Sequence, residues 1–326
     1  MFFPFPPEVA ILLYGTTRKG DMRMKRLLRL TALALGLTLL LSACGHKNTE
    51  PERKDAATQT VPVEGITGLT LCDGDVTLRF EKDEEGNWIW HDDPTFPLEQ
   101  SAMDELLALP AALDGGETVT DGQELSVYGL ETPAKYITVT ADGADTTYYV
   151  GEETTDGRWY VLTPDGRVLY ASAESKALLS RSIYDMAVLP QLPVIAPEQV
   201  VSVTILTPER TVAFLTDEDG VRRSANRDVT AQTAALVEEL GALTVTACVD
   251  YHPAEGAAAV CGLDERALTL AMNYLSDTGA DKALTLAVGL PTGDGGRYVT
   301  LDGETTIYRM EEASLAQLLT IAETGL

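Results

Sequence analysis

The chain has 326 residues, 45% apolar and 23% charged, a composition that supports folded domains and points to two of ordinary size, since single cores stop growing well below this length. It carries 24 Lys plus Arg against 50 Asp plus Glu, a formal net charge of −26, and the amino-terminal 43 residues are basic, so the remainder is more acidic still, at −30. Such a body repels nucleic-acid phosphates and anionic headgroups, which excludes general nucleic-acid binding and leaves solubility as the plain reading of the charge.

Taken in chain order, residues 1–43 read as a leader. Lys25, Arg26 and Arg29 precede the uncharged run Leu30 to Leu41, whose twelve residues are too few to cross a hydrocarbon core and suit a signal peptide. The run ends in Leu41-Ser42-Ala43-Cys44-Gly45, which looks like the lipobox of bacterial lipoproteins. That resemblance implies cleavage before Cys44 and a diacylglycerol on its thiol. Residues 1–21 fit no part of a signal peptide and suggest a start placed too early. The polar stretch from Cys44 to residue 64 then reads as a flexible tether.

From residue 65 onward one plan occurs twice. Tyr128-Gly129-Leu130 matches Cys261-Gly262-Leu263, Tyr149-Val150-Gly151 matches Ala287-Val288-Gly289, Gly157-Arg158 matches Gly296-Arg297, and Asp165-Gly166 matches Asp302-Gly303. Upstream, Leu69 to Trp90 and Val201 to Val221 each read as two strands around an acidic turn, followed by a helix with apolar residues at helical spacing. Alternations such as Val76 to Phe80 predict half-buried antiparallel strands. The fold class is therefore α+β, two tandem mostly antiparallel sheets with helices on one face of each, at 65–183 and 198–326. Residues 184–197, with Pro190, Pro193 and Pro197, form the linker.

The order Gly68-Leu69-Thr70-Leu71, Asp75 to Phe80, Gly86 to Trp90, Phe96-Pro97-Leu98, Tyr128-Gly129-Leu130, Gly151 and Gly157-Arg158 resembles bacterial lipoproteins with domain of unknown function 4340, over most of residues 65 to 320. The resemblance implies envelope location and architecture, and some relatives are similar to proteins encoded beside ABC-type transporters. It implies no catalytic residue.

Chemistry-bearing motifs are sparse. His91 and His252 lie in turn-like contexts, and no Gly-x-Ser-x-Gly elbow, phosphate loop or dinucleotide fingerprint occurs. Acidic pairs (Asp92/Asp93, Glu152/Glu153, Asp217/Asp219) are too common in this body to single out a hydrolase, and Asp217 to Gly220 falls short of a calcium loop. Cys72, Cys248 and Cys261 lack zinc spacing and are expected as thiols, with a Cys248–Cys261 disulfide open. Trp88, Trp90 and Trp159 offer an aromatic surface or, more simply, core; Arg158 and Arg297 offer an anion contact or pairing with local carboxylates.

The expected protein is thus a non-enzymatic, membrane-anchored extracytoplasmic lipoprotein without cofactor or metal. It is attached through Cys44 and binds or assists an envelope complex or transporter. A solute-binding lipoprotein and a carboxylate-based envelope hydrolase are the alternatives.

Overall fold

A computed structural model describes residues 65–264 and 267–326; the leader, Cys44 and the tether lie outside the described residues. Two sheets are present, and every strand pairing among the described residues is antiparallel. The first contains β1 (Ile66–Cys72), β2 (Thr77–Lys82), β3 (Trp88–Trp90), β4 (Glu117–Thr118), β5 (Lys135–Ala141), β6 (Ala144–Glu153), β7 (Trp159–Leu162) and β8 (Val168–Ala171), in the order β3-β2-β1-β5-β6-β7-β8-β4. Its helices are α1 (Gln100–Leu107), α2 (Leu109–Asp114) and α3 (Ala173–Leu179).

The second sheet contains β9 (Val200–Leu206), β10 (Thr211–Thr216), β11 (Arg222–Ser224), β12 (Arg227–Asp228), β13 (Ala247–Asp250), β14 (Leu268–Leu275), β15 (Asp281–Pro291), β16 (Gly296–Leu301) and β17 (Ile307–Glu311). Their order is β12-β11-β10-β9-β14-β15-β16-β17-β13, with helices α4 (Thr230–Leu240), α5 (Ala257–Val260) and α6 (Ala316–Thr324). Apart from the extra edge strand β12, the connectivity of the two sheets reads identically. The α+β expectation holds at this level.

Alternation decides which face is covered. Along β2, Leu78 and Phe80 are buried while Arg79 and Glu81 are exposed; along β10, Val212 and Phe214 are buried while Ala213 and Leu215 are exposed. Across the first sheet Leu71, Ile137 and Tyr148 fall into one row, and across the second Ile205, Leu270, Leu286 and Leu301 do the same. Helices complete each core with Met103, Leu106, Leu109 and Leu113 in the first, and Leu236, Val237, Leu240 and Leu318 in the second. Each such side chain contributes roughly 1.5–3 kcal/mol by burial, far more than helix propensity supplies in segments this short. Pro110 separates α1 from α2, because it removes the amide that would continue the ladder.

The motifs shared by the two sheets have a common physical cause. Gly129 and Gly262 adopt left-handed backbone (φ 69° in both), ending a short helical turn beneath a long strand. A Cβ on Gly151 would lie 2.1 Å from the Tyr128 carbonyl oxygen, and one on Gly289 would lie 2.2 Å from that of Cys261. The Leu290 amide donates to the Cys261 carbonyl at 2.8 Å, which only this close crossing permits. The Gly-Leu turn and the strand glycine form one crossing in each half.

The segment expected as the linker, 184–197, is fastened to its surroundings by backbone bonds. The Met186 carbonyl accepts from the Glu99 amide (2.8 Å), the Val188 amide donates to the Pro97 carbonyl (2.6 Å), and buried Ile195 donates to the Gly241 carbonyl (3.0 Å). Prolines forbid a continuous helix there, leaving only short helical turns at Ile183–Met186 and Pro197–Gln199, yet neighbouring amides remain available for tertiary bonds. Both sheets fall within one compact unit, Thr58–Leu326.

Candidate functional site

The tryptophans and arginines singled out in the sequence do not converge. Trp88 is buried on edge strand β3, with Lys82 5.2 Å above its ring; its backbone amide donates to the Gln100 side-chain oxygen (2.9 Å), and its carbonyl accepts from the Gln100 side-chain nitrogen (3.0 Å). That side chain stands in for a missing neighbour strand and closes the edge. Trp159 lies five strand steps away on β7, about 24 Å at the usual strand spacing, so no single platform joins it to β3. Trp159 is buried, with Lys135 and Lys176 at 4.5 and 5.3 Å from its ring.

Arg158 pairs with Asp156 and Glu117 (2.9 Å each) and lies 4.0 Å from the Tyr170 ring, beside Tyr160 and Tyr128. Arg297 pairs with Glu312 (3.0 Å) and donates to the Gly289 carbonyl (3.0 Å). Register corrects their equivalence. Val150 pairs with Val161 and Glu153 with Trp159 in the first sheet, whereas Val288 pairs with Val299 and Pro291 with Arg297 in the second. Arg297 therefore occupies the place of Trp159, one residue from the sequence match to Arg158.

A different group of residues is brought together where the two halves meet. Phe96, 4% exposed, has Trp90 at 5.6 Å and 83°, Tyr251 at 5.5 Å and 80°, and Tyr184 at 6.2 Å and 58°. Around this aromatic cluster, His252 Nδ1 lies 2.7 Å from Asp93, the Tyr251 hydroxyl donates to the Thr95 carbonyl (2.9 Å), and the Tyr184 hydroxyl donates to Asp250 (3.3 Å). The turn after β3 thus meets the segment after β13. Pairs of this geometry add about 0.5–1.5 kcal/mol each beyond burial. Sequence reading saw Asp92/Asp93 and Asp250-Tyr251-His252-Pro253 as separate turns; the signal that could have joined them is that each is an acidic, aromatic turn punctuated by proline.

Electrostatics at this junction are divided. Burial acts to raise the Asp93 carboxyl, but the Thr95 hydroxyl and amide together with His252 outweigh it and hold the group below its ordinary range. For Asp250, burial dominates and raises it despite the Tyr184 hydroxyl and His252. Burial, helped by Asp250, pushes the Cys248 thiol up to about 11 and raises Cys261 as well. Both are free thiols, as is Cys72. His91 Nδ1 lies 3.0 Å from Glu81. Asp217 accepts the Asp219 and Val221 amides and pairs with Arg223 (2.8 Å), so its turn is held by its own backbone and one arginine. Among the described residues no group of three metal-ligating side chains occurs, and no helix is long and apolar enough to cross a membrane.

Comparison with known proteins found no match among curated proteins and none among solved structures. The span matched by a family model begins in α2, takes in Tyr128-Gly129-Leu130, Gly151 and Tyr184, and ends just after Cys261-Gly262-Leu263, so it is shorter than the resemblance read from the motifs and straddles both sheets. Over residues 112–266 the chain matches the family described as a domain of unknown function, DUF4340.

Proposed function

We propose that this protein is an extracytoplasmic lipoprotein, held to a membrane by a diacylglycerol on Cys44, whose body consists of two tandem copies of one α+β domain and serves a binding or accessory role for an envelope complex or transporter. The observation that carries the reading is the sequence Leu41-Ser42-Ala43-Cys44 at the end of a twelve-residue uncharged run that follows a basic segment. The acidic body has no affinity of its own for anionic lipid, so a covalent anchor is the means by which it stays at a bilayer. A single acyl chain gives only marginal attachment, and a diacylglycerol supplies the second chain.

The equal strand order of the two sheets and the paired Gly-Leu crossings support the duplication. A non-catalytic role accords with the partners of the candidate groups. Glu153 is paired with Lys176 (2.7 Å), Asp217 with Arg223, and Asp93 with His252, each holding a turn or a junction.

The test is fractionation of cells expressing the full chain and the Cys44→Ala variant, with mass analysis of the mature amino terminus. Wild type is expected in the detergent-extracted membrane fraction, beginning at a diacylated Cys44, and the variant is expected unprocessed and without that lipid mass. An unmodified Cys44 within an intact leader overturns the proposal.

A further inference from the structure

The exchange of Trp159 for Arg297 at one register position has a spatial consequence. In the first sheet, Lys135 pairs with Val150, and the Trp159 ring fills the space beside them beneath two ammonium groups. In the second, Leu268 pairs with Val288 in the same register, Leu290 follows at the position of Glu152, and Arg297 stands where the indole would be. The space opens into a cavity of about 310 Å³ lined by Gly262, Leu268, Val288, Gly289, Leu290 and Arg297. That size suits a small molecule.

The lining separates into two chemistries. Leu268, Val288 and Leu290 form an apolar wall, and Leu290 is 53% exposed, an apolar cost that a bound apolar group would offset. Arg297 supplies the polar end. Its Nε and Nη1 bonds to Glu312 and the Gly289 carbonyl fix the guanidinium plane and engage two of its five donor hydrogens. A planar fork fixed in this way matches a carboxylate. One guanidinium already shared with Glu312, inside a body of strongly negative charge, favours a single negative charge over a multiply charged phosphate.

We infer that the second sheet carries a binding pocket for a small monocarboxylate with an apolar body, its carboxylate on Arg297 and its apolar part against Leu268, Val288 and Leu290. The pocket belongs to the second half only, because Trp159 closes the corresponding place in the first.

Calorimetric titration of the full chain with hexanoate, hexanol and hexylammonium tests this, with the methyl resonances of Leu268, Val288 and Leu290 as a positional readout. Hexanoate is expected to bind saturably and move those methyls, with hexanol and hexylammonium at least about tenfold weaker. Arg297→Met should weaken hexanoate by a similar factor. Glu312→Gln, which removes the competing carboxylate, should tighten it severalfold. Arg297→Trp, copying the first sheet, should abolish binding. Absence of saturable hexanoate binding, equal affinity for hexanol, an unaffected Arg297→Met variant, or shifts confined to other methyls would each overturn the proposal.

Discussion

Phe96→Ala is the most informative perturbation of the junction. The ring is almost wholly buried and touches Trp90 on β3, Tyr184 at the start of the linker and Tyr251 just after β13. Removing a buried phenyl group costs about 3–5 kcal/mol through lost transfer energy and residual cavity. Because three aromatic neighbours lose an edge or tilted partner, the expected loss lies near the upper part of that range, about 4 kcal/mol. Against a total stability of roughly 5–15 kcal/mol, this is a large fraction. Urea unfolding followed by far-ultraviolet circular dichroism and by tryptophan fluorescence measures it, the latter reporting directly because Trp90 is in the cluster. The double-mutant cycle with Tyr251→Ala should give a coupling of about 0.5–1.5 kcal/mol. A loss under about 1 kcal/mol, or a coupling indistinguishable from zero, would refute the view that this cluster joins the two halves.

Two further outcomes follow from the same geometry. Gly151→Ala and Gly289→Ala should each cost about 3 kcal/mol or more, since the added Cβ meets a backbone carbonyl that cannot move aside, whereas Gly166→Ala, left-handed but with open space around it, should cost only about 1–2 kcal/mol; thermal denaturation of the three variants checks the ranking. Asp250, raised by burial, favours the folded state most below its unfolded value, and that advantage is lost as pH rises through the folded value. Asp250→Asn should therefore gain stability relative to wild type as pH rises above the ordinary carboxylate value of about 4, and a pH-independent difference would contradict the assignment. Asp93 has the opposite sign: its contribution is present above the ordinary carboxylate value and lost as pH falls through the lowered one, so Asp93→Asn should cost most at neutral pH.

Much of the architecture was legible because antiparallel sheets with one wet face leave period-two alternation in the chain, as at Leu78 to Lys82 and Val212 to Thr216. The glycines were legible too: Gly129, Gly151, Gly262 and Gly289 recur because no side chain fits the crossing they make. What sequence could not show was side-chain convergence over long separations. Asp93 and His252 are 159 residues apart, and the acidic, proline-punctuated character their turns share does not by itself say that they touch. The Arg158 and Arg297 match misled by one residue, because identity of short motifs is weaker evidence than pairing register, which the flanking Val161 and Val299 define. The prolines of 184–197 mark a linker because they break regular structure, and they say nothing of the bonds that fasten it, which belong to its other residues.

The edge strands β4 and β13 each precede, in the chain, four other strands of the sheet they complete. Glu117 finds its partner in Tyr170, and Ala247 in Arg309, only after three intervening strands have been laid down. On a chain that emerges amino terminus first, neither sheet can close until its last strand has arrived, and the dangling segment must wait unpaired. Such non-local closure slows acquisition of the native state, and it makes the final strand of each half the step on which completion depends.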